Sequence, residues 1–123
     1  MSFIKKLFKK DTKPKASLPT WEEMVSTLHG KQLDCFRDEV VRVIYSKDNS
    51  KRCIVLKNEK GIFTYSFEKI YVYKDEELIY FGNIYPARWE LDFKAGQGIS
   101  LFEKEEELLK DLKAHPYYKM YFI

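Results

Sequence analysis

Apolar side chains recur along this chain with two different periods, and the switches between them divide it into elements. Trp21, Met24, Val25 and Leu28 fall at i, i+3, i+4 and i+7, the spacing that lines up one face of an α-helix. Thr20 precedes the stripe and Glu23 lies three residues on, so a capping box closes the start. Gly30 supplies the stop, because glycine enters the left-handed conformation without a Cβ penalty. A helix is predicted from about 20 to 29. Leu33, Cys35 and Phe36 fit either a strand or a packed loop.

Beyond them the period becomes two. Val41, Val43 and Tyr45 alternate with Arg42, Ile44 and Ser46, and the run 47–50 is turn chemistry. Strands are predicted over 52–56 and 62–67, joined by a tight turn at 58–61. The segment 70–73 either continues the second of these past a bulge or forms a strand of its own. Residues 74–77 turn the chain, and 78–81 and 85–91 are predicted as further strands around Gly82–Asn83. Connections this short require antiparallel pairing.

The C-terminal third returns to a helical period. Ser100 and Glu103 have capping-box spacing, Phe102, Leu108, Leu109 and Leu112 form an apolar stripe, and acidic residues lead while Lys110 and Lys113 follow. That charge order suits the helix dipole. His115–Pro116 ends the helix, and the last seven residues are apolar enough to dock on the body. The predicted fold class is α+β: an antiparallel meander of four to six strands, flanked in sequence by an N-terminal and a C-terminal helix that cover one face of it.

The first ten residues form a different pattern. On a helical projection Phe3, Ile4, Leu7 and Phe8 fill one arc, and Lys5, Lys6, Lys9 and Lys10 fill the other. These eight are the candidate contacts for an anionic membrane surface, with a disordered, merely solubilising arm as the alternative. Residues 11–17 read as a linker around Pro14. The domain division is therefore a basic amphipathic arm and linker at 1–17 and a single α+β domain at 18–123.

Charge reinforces that division. Residues 1–15 carry six lysines against Asp11, a charge of +5 within a total of +3, so the remainder is at −2. The basic balance belongs to the arm and gives no basic body for nucleic acid. Hydrophobic residues at 45% allow a packed core, and aromatic residues, 16% of the chain, are dense between Phe63 and Trp89 as a sheet would have them. Two cysteines, Cys35 and Cys53, are too few for a disulfide scaffold and suit reduced thiols. No apolar run is long enough to span a membrane, and lysines interrupt any secretory signal. A cytoplasmic protein is expected, with peripheral attachment at the inner face of the membrane left open.

Candidate chemistry is sparse. His29 and His115 are the two histidines, each at a helix end, where capping explains them better than catalysis. A Cys35/His29 pair has no supporting motif. No spacing suits a metal, and the carboxylates of 103–107 spread around a helix. Gly96-Gln97-Gly98 lacks the lysine–serine ending of a phosphate loop. Tyr65, Phe67, Tyr71, Tyr73, Tyr80, Phe81 and Tyr85, with Arg42, Arg52 and Arg88, could form a stacking platform for nucleic acid. Core packing and cross-strand pairing account for them more economically. No catalytic residue, cofactor or metal is expected.

The run Pro86-Ala87-Arg88-Trp89-Glu90, a glycine-containing loop and Ser100-Leu101-Phe102-Glu103 opening an acidic helix resemble small bacterial immunity-type proteins over roughly residues 84–114. The resemblance implies a cytosolic binder that neutralises a cognate toxin without catalysis, and it transfers no binding residues. The functional expectation is a non-enzymatic protein-binding module with a protein partner. The alternatives are a membrane-peripheral accessory protein and a small nucleic-acid-binding domain.

Overall fold

The computed structural model describes residues 18–81, 84–95 and 100–123. The amphipathic arm and its linker, residues 1–17, lie outside them, as do the segments 82–83 and 96–99. Among the described residues four α-helices and four strands follow in the order α1 (Trp21–Leu28), β1 (Glu39–Tyr45), β2 (Lys51–Lys57), β3 (Phe63–Val72), α2 (Asp75–Phe81), β4 (Ala87–Leu91), α3 (Glu105–Ala114) and α4 (Pro116–Tyr121). The strands form one antiparallel sheet in the order β1-β2-β3-β4. The α+β class and the antiparallel meander are as predicted, with four strands among the described residues.

The sheet buries both faces, because side chains alternate across it. Phe67 and Ile70 lie three positions apart on the regular strand β3 and so point to opposite sides. On one side Ile70 joins Met24 and Leu28 of α1 with Ala87 and Trp89 of β4. On the other, Phe67 and Cys53 pack against Ala95 and Leu112, with Tyr117, Tyr118 and Phe122 around them. The two terminal helical units therefore cover opposite faces, not the single face expected. Strand β2 shows why: Cys53, Ile54 and Val55 are consecutive and all inaccessible, and such a run needs cover on both sides.

Local signals explain most boundaries. The Thr20–Glu23 capping box forms, with the Glu23 N–H donating to Thr20 Oγ1 at 3.1 Å and the Thr20 N–H donating to Glu23 Oε1 at 2.7 Å. Gly30 has φ +78° just past α1. Residues 31–38 form a packed loop, resolving that ambiguity against a strand. Residues 70–72 continue β3 in register, and the irregularity lies instead in β1 between Val40 and Arg42. The C-terminal tail docks as expected, although it does so as a helix: Pro116 opens α4, and His115 Nδ1 accepts the Tyr117 N–H at 3.1 Å.

Two further expectations need correction. Residues 78–81 belong to α2 rather than to a strand. Asp75, Glu76 and Glu77 crowd its first turn, where the helix dipole favours negative charge, and four apolar residues are too few to reveal a period. The capping box predicted at Ser100–Glu103 does not open α3. That helix begins at Glu105 with Lys104 as an N-cap that makes no side-chain cap. Phe102 is held extended beside Phe63 by two backbone hydrogen bonds of 2.8 and 3.0 Å, so its backbone cannot join the helix.

Candidate functional site

One stack of planar groups runs from the sheet to the surface at the end of α1. It starts at Arg52, which is fully buried. Its Nε donates to Glu68 Oε1 at 2.7 Å, and its terminal nitrogens donate to the carbonyls of Lys31 and Gln32 at 2.6 and 3.3 Å. The guanidinium lies 4.3 Å from the Trp89 ring centroid. Trp89 in turn donates its indole N–H to the Leu28 carbonyl at 2.7 Å, closing the C-terminus of α1. Tyr45 meets Trp89 edge-on at 6.1 Å, and His29 stacks on Tyr45 at 3.9 Å. The Tyr45 hydroxyl accepts the Gly30 N–H at 2.7 Å, fixing the ring on which His29 rests.

His29 is thus held by a rigid floor, and it opens onto a cleft of about 620 Å³. Trp21, Glu22, Val25 and Ser26 form the α1 wall, and Asp48 and Asn49 of the β1–β2 turn form the opposite one. Trp21 belongs to the predicted apolar stripe, yet it is 44% exposed. Met24 and Leu28 supply the buried contacts of α1, which leaves the indole as a wall of the cleft.

The Asp48 wall is preorganised. Its Oδ1 accepts the Ser46 hydroxyl at 2.9 Å, the Ser50 N–H at 3.0 Å and the Ser50 hydroxyl at 2.7 Å. The Ser50 hydroxyl, then the Ser50 N–H, hold the Asp48 carboxyl below its ordinary pKa; the Ser46 hydroxyl and the nearby Lys51 charge act in the same direction. All three hydrogen bonds favour the ionised form. Asn49 follows with φ +64°, a left-handed position that asparagine tolerates.

The residues singled out by the sequence engage different partners. Cys35 donates its thiol to the Gln32 carbonyl at 3.3 Å while His29 stacks on Tyr45, so each has its own partner. Of the ten residues of the aromatic platform, the structure groups Tyr71, Tyr73 and Arg88, with the guanidinium 5.2 and 5.7 Å from the two rings, and sets Tyr65 edge-on to Phe67 at 5.8 Å. Tyr65 bonds Asp111 and Phe67 is buried under Tyr117 and Phe122. Arg42 pairs with Glu105 at 2.7 Å, and Arg52 is inside. Tyr80 lies on α2 and Tyr85 just before β4. Among the described residues, no group of three or more His, Cys, Asp and Glu side chains is placed to hold a metal.

Sequence reasoning missed the cleft. Its two walls lie more than twenty positions apart, and only the turn chemistry of Asp48 and Ser50 carried a local signal. The eight membrane-contact candidates lie in the arm, outside the described residues, and no described helix is long and apolar enough to cross a membrane. Comparison with protein-family models, with curated proteins and with solved structures finds no match to this chain.

Proposed function

We propose that this chain is a protein-binding module that acts without catalysis, an immunity-type protein whose partner is a toxin. The observation that supports it is the set of large apolar side chains left exposed among the described residues between 79 and 93. Ile79 is 62% exposed, Leu91 46% and Phe93 67%, with Tyr80, Ile84 and Tyr85 also exposed. Exposed apolar side chains supply the contacts of interaction surfaces, and aromatic residues are enriched at interface cores.

The test is co-purification with the product of a neighbouring gene, followed by rescue of cells expressing that product. The expected result is a complex that Ile79→Glu weakens at least tenfold while leaving the unfolding curve in place. Recovery of the protein alone, together with no rescue from any adjacent toxin, would count against the reading.

The arm favours a second reading, attachment to the inner face of the membrane. Phe3, Ile4, Leu7 and Phe8 segregate from Lys5, Lys6, Lys9 and Lys10 on a helical projection. Deleting residues 1–15 should then shift the protein from the membrane to the soluble fraction, and an unchanged distribution rejects it.

A further inference from the structure

The cleft between α1 and the β1–β2 turn has a chemistry of its own, apart from the exposed apolar side chains between 79 and 93. We infer that it receives a basic side chain of the protein partner, an arginine in the first place. The inference rests on the protein-binding reading and names what one part of that partner must present.

Charge disfavours the opposite ligand. Glu22 and Asp48 both line the cleft, and Asp48 is held ionised by the donors on its Oδ1. The N-terminus of α1 offers an anion little, because the Thr20–Glu23 box already occupies two of its backbone donors and Glu22 adds a further negative charge. Among the described residues the three hydrogen bonds that position Asp48 all fall on Oδ1, and Oδ2 accepts none of them.

Shape and stacking favour a planar cation with an aliphatic stem. Trp21 presents an exposed indole, and Val25 gives an apolar contact beside it. A guanidinium over an indole gains a cation–π attraction, and arginine makes such contacts more often than lysine. The molecule already holds one such pair in its interior, Arg52 over Trp89 at 4.3 Å. The cleft would repeat the arrangement at the surface with the cation supplied from outside. His29, locked against Tyr45 at 3.9 Å, fixes the base of the cleft so that no side chain must be ordered there on binding.

The experiment titrates N-acetyl-arginine amide into the isotopically labelled full chain and follows amide and indole resonances. The neutral isostere N-acetyl-citrulline amide serves as the control. Saturable shifts are expected at the Trp21 indole N–H and at the amides of Glu22, Ser26 and Asn49. The affinity for the isolated side chain should be weak, on the order of 0.1 M, as a single exposed ion pair and cation–π contact provide. Glu22→Gln and Trp21→Ala should each weaken binding about two- to fivefold. Neither touches the hydrogen bonds of the Asp48 turn, so the fold survives both changes.

Equal shifts with the citrulline derivative would overturn the inference. So would arginine-induced shifts that spread over Glu105–Asp111 as strongly as over the cleft, because they would report diffuse attraction to acid. A failed titration alongside an intact complex that Ile79→Glu disrupts would sink the cleft assignment alone. Saturable arginine binding by a protein that recovers no partner would remove the module reading instead.

Discussion

The Arg52 guanidinium lies 4.3 Å from the centre of the Trp89 ring while its Nε donates to Glu68 at 2.7 Å. One buried cation thereby joins β2 to β3, to β4 and to the loop after α1. Its donors leave neither the Lys31 nor the Gln32 carbonyl unpaired. A buried charge is tolerated only when paired and hydrogen-bonded, and here each condition is met by a different element. The knot therefore sets the relative position of those elements and, through Trp89 and Tyr45, the floor of the cleft.

Arg52→Leu should cost about 3–5 kcal/mol, because it leaves the Glu68 carboxylate and the Lys31 carbonyl without the partner they share. The double variant Arg52→Leu/Glu68→Leu should recover a large part of that loss, since an apolar pair needs no counter-charge. Urea unfolding midpoints for the three proteins measure both effects. A single variant within about 1 kcal/mol of the parent would show that the pair is not desolvated as described.

Gln32 clips the outer edge of β4. Its Oε1 accepts the Trp89 N–H at 2.7 Å and its Nε2 donates to the Trp89 carbonyl at 3.4 Å, so the side-chain amide takes the place of a neighbouring strand. The residue does this at φ +57°, a left-handed conformation. Gln32→Ala loses the clip and keeps the backbone strain; Gln32→Gly loses the clip and relieves it. Gln32→Ala should therefore be the less stable by about 1 kcal/mol. In both variants the Trp89 amide should exchange faster with solvent, and an unchanged exchange rate would argue against the clip.

These two side chains also show where sequence reasoning stops. The Thr20–Glu23 box, the glycine after α1 and the alternation of β1 are local patterns, each set by neighbours within a few positions, and they were legible. Arg52 read as one basic residue beside a possible aromatic platform, because nothing within the strand reveals that β3 offers Glu68 opposite it. Phe102 read as part of a helical stripe until Phe63, 39 positions earlier, claimed its backbone. The two-sided burial of the sheet was present in the run Cys53-Ile54-Val55, although its alternation was weaker than the helix signals around it. The cleft depends on a turn meeting a helix across the whole of β1, a relation that no local pattern encodes.

The two thiols should differ sharply in reactivity. Cys53 is inaccessible, and burial pushes its thiol well above the ordinary range, which disfavours the reactive thiolate. Cys35 is exposed. A disulfide-exchange reagent should titrate one thiol in the native protein and two in denaturant. Cys35→Ser should abolish the native reaction, and rapid modification of Cys53 under native conditions would contradict its place between the sheet and α3.

The pH dependence of stability follows from groups shifted in opposite directions. The Asp48 carboxyl sits below its ordinary value, chiefly through the Ser50 hydroxyl and N–H. A lowered folded-state pKa stabilises above the unfolded value and is lost as pH falls through the folded one. This acid limb should be shallow because Asp48 is exposed, and Asp48→Asn should flatten it. Tyr65 and Tyr117 are raised, first by burial and then by their hydrogen bonds to Asp111 and Asp92. Their stabilisation is complete below the ordinary tyrosine value of about 10, and it declines as the pH rises from there through the raised folded values. Urea midpoints should accordingly fall off on the alkaline side, less steeply in Tyr65→Phe and Tyr117→Phe. Tyrosinate absorbance gives the independent readout. Of the nine tyrosines, Tyr65 and Tyr117 should ionise only as the protein unfolds. A native spectrum in which all nine ionise together near the ordinary value would show that neither hydroxyl is held by its carboxylate.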